Sequence, residues 1–190
     1  HSLVRVVGRR GFLILAAILD LVHHGGPKSR SQLTAETGLN RSTVADLITE
    51  LSASGLVTES DPEPTNRVGR PSPQVDVDER PVVIAVNPEL DAITIAIVGL
   101  GARVLTRVRH EVDRPLTAEQ TASVIAVLIR DLPLDGHRVI AIGLAVPGLV
   151  RASDGIVRWA PHLGWTDAPI ASLVTEATGI PAVVGNDASL

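Results

Sequence analysis

The sequence contains neither cysteine nor methionine. Without cysteine it can build no disulfide framework and no thiolate metal site, which suits a reducing, cytoplasmic setting. A start at His1 with no methionine leads us to expect a fragment or a processed chain. Long apolar runs are missing as well. None approaches the ~20 residues that span a bilayer, so no membrane partner is expected. The stretch Arg9-Arg10-Gly11-Phe12-Leu13 imitates a twin-arginine export signal. Asp20 interrupts the apolar stretch behind it, His23-His24 follows, and no small-residue cleavage site is present, so a helix is the better reading. Strong positive charge is the last absence. Net charge is −4, and residues 1 to 75 carry 8 Lys/Arg against 7 Asp/Glu, while the remainder carry 9 against 14. A chain so balanced cannot hold a polyanion by bulk charge, and any nucleic-acid contact must come from locally placed arginines.

The pattern that is present changes character near Pro81 and predicts two domains, residues 1–78 and 81–190. In the first, Ile14, Ala17, Ile18 and Leu21 fall at i, i+3, i+4 and i+7, a helical stripe that Gly25-Gly26-Pro27 ends. Ser29 followed by Gln32 has the form of a capping box opening a second helix, with Gly38 as its left-handed stop. Asn40 then caps a third, carrying Val44, Leu47, Ile48 and Leu51 until Gly55. Two helices joined by so short a turn predict a helix-turn-helix, whose second member offers its first turn, Arg41, Ser42 and Thr43, to a major groove. Arginine pairs bidentately with a guanine edge, and hydroxyls reach bases or phosphates. The same three residues would also serve as a solvated first turn.

Leu56-Val57-Thr58-Glu59 and Gln74-Val75-Asp76-Val77 alternate as two strands, and Asn66 to Pro71 lies between them. This predicts a wing. Arg67, Gly69, Arg70 and Pro71 would form its compact tip, with Arg70 suited to a narrow, A·T-rich minor groove. Glycine, proline and exposed arginine are also ordinary loop residues, and the position beyond a helix-turn-helix is what favours DNA.

In the second domain Val82–Val86, Ile93–Val98 and Val104–Val108 read as a meander. A helix over Thr117–Leu132 with Val124, Leu128 and Ile129 on its stripe follows, then an apolar strand, Val139–Val146, of the kind covered on both faces. A helix over Pro169–Thr178 and a strand over Pro181–Val184 complete an α/β order with a mixed sheet. Trp159 and Trp165 are read as packing residues, since large aromatics more often fill cores or interfaces than stack on sugars.

Five stretches carry a resemblance. Gly143-Leu144-Ala145-Val146-Pro147-Gly148, Trp159-Ala160-Pro161-His162-Leu163-Gly164-Trp165 and Gly185-Asn186-Asp187-Ala188 resemble the ROK family of bacterial repressors and sugar kinases. Upstream, Thr37 to Val44 and Val68-Gly69-Arg70-Pro71-Ser72 resemble its repressor branch, that of the xylose and N-acetylglucosamine repressors. The resemblance implies an N-terminal winged helix-turn-helix followed by the first lobe of an actin-like, ribonuclease-H-like sugar kinase fold. Its sugar cleft would include Gly148, Asn186 and Asp187. A carboxamide and a carboxylate can bond adjacent hydroxyls, and a glycine lets ligand approach the backbone. Asn-Asp after a strand is equally an ordinary turn or cap. A homodimer or dimer of dimers on an operator is expected. No cofactor is expected within these residues, and the family's structural zinc would lie beyond Leu190.

Kinases of the family carry Asp-x-Gly-x-Thr at the first strand's turn, and use the Asp187 equivalent as base. Here Ala85-Val86-Asn87-Pro88-Glu89-Leu90-Asp91-Ala92 stands in that place, without the glycine or the threonine. Pro88 lacks an N–H for a phosphate cradle and Glu89 would repel the anion. The expectation is therefore a sugar-responsive, non-enzymatic repressor of transcription. The alternatives are an ATP-dependent sugar kinase with a fused DNA-binding domain, and a DNA-binding protein whose sensor lobe serves only assembly.

Overall fold

Capping and glycine stops set the elements of the first unit in the computed structural model, which describes residues 2–60, 72–151 and 153–187, with backbone alone for 2–12. The chain divides into two units: His1–Arg80 with Leu100–Ala102, and Pro81–Gly99 with Arg103–Leu190. In the first, α1 (Ser2–Gly25) stops at Gly26, which adopts a φ of 73° that favours glycine. Its buried line is Leu15, Ile18 and Val22, while Ala17 is exposed and Ile14 and Leu21 are half-buried. The expected stripe is thus rotated by one residue about Ile18. The apolar arc of α1 is wide enough for either line to face inward, and the partners chose.

Strand β1 (Lys28–Ser29) leads into α2 (Arg30–Thr37), whose capping box is formed: Ser29 Oγ accepts from Gln32 N at 3.2 Å and Gln32 Oε1 from Ser29 N at 2.8 Å. Gly38, at φ 67°, ends α2, and Asn40 caps α3 (Arg41–Ala53). Strands β2 (Val57–Ser60) and β3 (Gln74–Val77) pair antiparallel, from Val57 opposite Val77 to Ser60 opposite Gln74, and β1 adds to β3. Leu33, Val44, Ile48, Leu51, Val57 and Val75 close one core with the α1 line. Each large aliphatic side chain so buried contributes about 1.5–3 kcal/mol.

In the second unit, β4 (Pro81–Pro88), β5 (Ala92–Gly99) and β6 (Arg103–Glu111) form the antiparallel meander, and β7 (Arg138–Val146) and β11 (Ala182–Asn186) join β4 in parallel. The order is β11-β7-β4-β5-β6. Helices α4 (Ala118–Arg130) and α5 (Ile170–Thr178) bury Ile125, Ile129, Ile170 and Val174 with Ile84, Ile95, Ile142 and Leu144. The stripe of α4 is centred on Ala122, Ile125 and Ile129, with Val124 and Leu128 only partly buried beside it.

Strand β7 departs from expectation. Ile142, Leu144 and Val146 are buried, but Ala141, Gly143 and Ala145 on the other face are half-buried. Within these residues the second face of the strand carries small side chains, half-buried. A second sheet, β8 (Leu149–Arg151), β9 (Ile156–Ala160) and β10 (Trp165–Ala168), is antiparallel in the order β10-β9-β8. Sequence reading missed it, because its strands are short and broken by Asp154-Gly155 and Pro161. Among the described residues no helix is long and apolar enough to cross a membrane.

Ile48 is fully buried where α3 meets the rest of its core. We expect Ile48→Ala to cost about 2–5 kcal/mol, read as a fall in the urea midpoint at unchanged slope.

Candidate functional site

The first turn of α3 is set by one side chain. Asn40 Oδ1 accepts from Thr43 N at 2.8 Å and from Ser42 Oγ at 2.7 Å. Arg41 and Ser42 are exposed and Thr43 is half-buried. Ser42 spends its hydroxyl proton on the cap, so its oxygen is left to accept, from a base amino group sooner than to bind a phosphate. Arg41 makes no hydrogen bond or ion pair among the described residues, and with Arg30, Ser31, Thr34, Ala45 and Ser72 it lines a recess of about 420 Å³ between α2 and α3.

Arg30 is a residue that sequence reading missed. Its guanidinium holds Glu59 of β2 bidentately at 2.6–2.9 Å, and the Arg30 backbone N–H donates to Pro73 O at 3.1 Å, so the start of α2 is tied to β2 and to the residue just ahead of β3. No local signal could have shown a pair 29 residues apart. Lys28 is likewise engaged, with Glu36 at 3.0 Å. Arg67, Gly69, Arg70 and Pro71 lie outside the described residues, in the connection from Ser60 to Ser72.

In the second unit the parallel strands β4, β7 and β11 end at one edge, where Val146 and Asn186 are register partners. Ligands of open α/β sheets bind outside such carboxyl ends. Gly148 follows β7, Asn186 closes β11 and the exposed Asp187 comes next. The Asn186 carboxamide donates from Nδ2 to the Gly148 carbonyl, which brings two of the three sugar-site candidates into direct contact. Gly148 has no room for a side chain: a Cβ there would lie 2.5 Å from the Trp159 carbonyl oxygen and 2.9 Å from the Ala160 Cβ.

The two tryptophans part company. Trp165 is buried and donates its indole N–H to Leu116 O at 2.9 Å, a packing role. Trp159 is 59 % exposed and belongs to neither core, because β9 turns this residue to the surface of a three-stranded sheet, so of the core and interface places expected for it the core is excluded within these residues.

The β4–β5 turn also corrects a charge argument. Glu89 meets Arg109 Nη1 at 2.5 Å and accepts from Thr94 Oγ1 at 2.9 Å, and Arg109 reaches Asp91 at 3.1 Å. Arg109 comes from β6, so the turn carries its own counter-charge, and Glu89 repels an anion less than its sequence position suggested. What remains is a turn closed on itself, with Glu89 N donating to Ala92 O at 2.7 Å and thereby lost to any phosphate. Among the described residues no three His, Asp or Glu side chains gather into a metal site. With no cysteine either, the zinc that the resemblance implies finds no ligand set among them.

Against this geometry, the family model described as the ROK family matches residues 83–190. A putative xylose repressor from Caldicellulosiruptor sp. is 28% identical over 203 residues, covering 100% of this chain and 47% of its own length. The crystal structure of a ROK family transcriptional regulator, a homologue of the Escherichia coli Mlc protein, superposes with a TM-score of 0.71 at 24% identity, over 91% of this chain and 45% of that one. A ROK family glucokinase from Streptomyces griseus, solved with glucose and AMPPNP, gives 0.50 at 29% identity over 56% of this chain and 33% of its own. The chain thus spans just under half the length of the regulators it matches, and its α/β architecture is similar to that of ROK regulators and sugar kinases, an actin-like fold.

Two outcomes follow. Gly148→Ala should lower the melting temperature by an amount equivalent to about 1–3 kcal/mol, because the atom it strikes is backbone. The Arg109 guanidinium, and then the Thr94 hydroxyl, hold the Glu89 carboxyl below its ordinary value. A depressed folded value means stabilisation that is present above the unfolded pKa and is lost as pH falls through the folded one. Glu89→Gln should therefore melt earlier than the parent near neutrality, and the two melting curves should converge as pH falls below the ordinary carboxylate range.

Proposed function

The chain belongs to the ROK family, and on that premise we propose a sequence-specific DNA-binding transcriptional repressor that answers to a sugar or sugar phosphate. The observation that carries this reading is extent of likeness. The xylose repressor aligns over the whole chain, including everything ahead of residue 83, whereas the glucokinase aligns over 56% of it. What precedes the ROK match is therefore shared with a regulator.

We read residues 1–78 as a winged helix-turn-helix and 81–190 as the start of the sugar-sensing domain. In this reading α3 enters a major groove behind its cap, with Arg41 on a guanine edge and Ser42 and Thr43 beside it, and the connection bearing Arg67, Gly69, Arg70 and Pro71 lies in the neighbouring minor groove. The exposure of Arg41 beside a recess of polar side chains supports this. Arg30, committed to Glu59, is a spacer holding hairpin and helices in register. A dimer would present two such helices about one helical turn apart to paired half-sites.

On the sensing side, Gly148, Asn186 and Asp187 take the sugar, and the occupied cleft shifts the protein between arrangements of different operator affinity. The name of the repressor relatives makes a xylose-like sugar the first candidate. Phosphoryl transfer is not part of this reading. It needs donors aimed at the phosphates, and the β4–β5 turn offers Pro88 and an N–H already bonded to Ala92.

The test is binding of the intact protein to fluorescent DNA from upstream of its own gene, with and without a sugar panel. Arg41→Ala should relax base preference at one operator position by about 1–3 kcal/mol, and Arg70→Ala should weaken binding most at A·T-rich flanks. Unaltered affinity and preference in both variants would overturn the docking, and ATP-dependent phosphorylation of a panel sugar would overturn the regulator reading.

A further inference from the structure

We propose that Ser42 reads the operator as a pure hydrogen-bond acceptor: it requires a base with an exocyclic amino group in the major groove, adenine or cytosine, and disfavours thymine and guanine at that place. Asn40 is the positioning residue behind the preference. This rests on the DNA-binding reading above and deepens it.

The starting observation is a hydroxyl whose proton has a fixed destination. Ser42 Oγ donates to Asn40 Oδ1 at 2.7 Å, and Thr43 N donates to the same oxygen at 2.8 Å. A backbone N–H can only donate, so the arm of the carboxamide that it meets is the oxygen and not the nitrogen. That oxygen can only accept, so the Ser42 proton must point at it. Ser42 is exposed, and no described residue donates to its Oγ, which keeps its lone pairs for whatever stands in front of the helix. Ser31, an exposed hydroxyl of α2, differs: it shares a bond of 2.9 Å with Ser29 Oγ in which either oxygen can be the donor, so its polarity is not set.

A serine with a free hydroxyl specifies little, because it gives to a base oxygen or ring nitrogen as readily as it takes from an amino group. The Asn40 bond removes the first option. Adenine N6 and cytosine N4 can donate to Ser42 in the major groove, whereas thymine O4 and guanine O6 and N7 would set lone pair against lone pair. To serve those bases Ser42 has to turn its proton away from Asn40. Giving up that bond costs about three- to tenfold in binding, which sets the size of the preference. Arg41 is the complement, since a guanidinium has donors alone. The first turn of α3 thereby offers one pure donor and one pure acceptor side by side.

The experiment uses the intact protein and fluorescent DNA from upstream of its own gene. Each adenine in turn is replaced by unsubstituted purine and each cytosine by 2-pyrimidinone, so that one amino group is removed at a time. At one place in the operator the parent should lose about three- to tenfold in affinity and Ser42→Ala should lose nothing from the same replacement, while replacements elsewhere affect both proteins alike. Asn40→Asp keeps an accepting cap and should keep the preference, at lower overall affinity because of its charge. Asn40→Gly still caps the helix but frees the Ser42 proton, so thymine or guanine should be tolerated at that place. The guanine preference of Arg41 should persist in that variant, which checks that α3 is formed and docked. If no replacement separates the parent from Ser42→Ala, or if Asn40→Gly retains the parent's preference, the acceptor assignment is overturned and DNA binding stands. If the parent holds its upstream DNA no better than a random duplex, the DNA-binding reading is overturned and this one with it.

Discussion

Parallel pairing of β4, β7 and β11 is the constraint from which the second unit of the molecule follows. Because the three strands run the same way and are bonded side by side, their carboxyl ends share one edge, and whatever follows each strand is delivered to that edge. Gly148 and Asn186 are 38 positions apart in sequence and hydrogen-bonded in space for this reason alone. The face packed by α4 and α5 supplies the apolar burial that keeps the strands in register, since a slip of one residue on β7 would exchange Ile142, Leu144 and Val146 for Ala141, Gly143 and Ala145.

The first unit reaches its geometry differently, through the ends of short helices. Ser29 with Gln32, Gly38 and Asn40 satisfy backbone groups that a helix of 8 residues and its neighbour would otherwise leave open. Caps of this kind contribute about 1 kcal/mol each, and they also fix which residues stand in the first turn of α3. Arg30 and Glu59 add direction more than energy: both are partly exposed, and such pairs are worth about 0–1 kcal/mol, but a bidentate guanidinium holds the hairpin at one angle to α2.

The same fold is similar to that of both regulators and kinases, so fold cannot separate them. Local chemistry is what our regulator reading rests on. A phosphate-binding turn needs N–H groups and hydroxyls aimed outward. Here Pro88 has no N–H, Glu89 turns its own inward to Ala92, and Arg109 is consumed by two carboxylates of the turn.

Much of this was legible in one sequence where the determinants are local. Caps at Ser29 and Asn40, glycine stops at Gly38 and Gly55, and the alternation in β4 and β5 each depend on residues within a few positions, and a pattern read along the chain contains them. What the tertiary structure decided is which of several allowed arrangements those elements adopt. The line of α1 that turns inward, the charge balance at Glu89 and the tie between Arg30 and Glu59 are settled by partners distant in the chain, 20 positions for Arg109 from Glu89 and 29 for Glu59 from Arg30. A side chain's preferences are written at its own position, but the surface it meets is made by the rest of the chain folding around it.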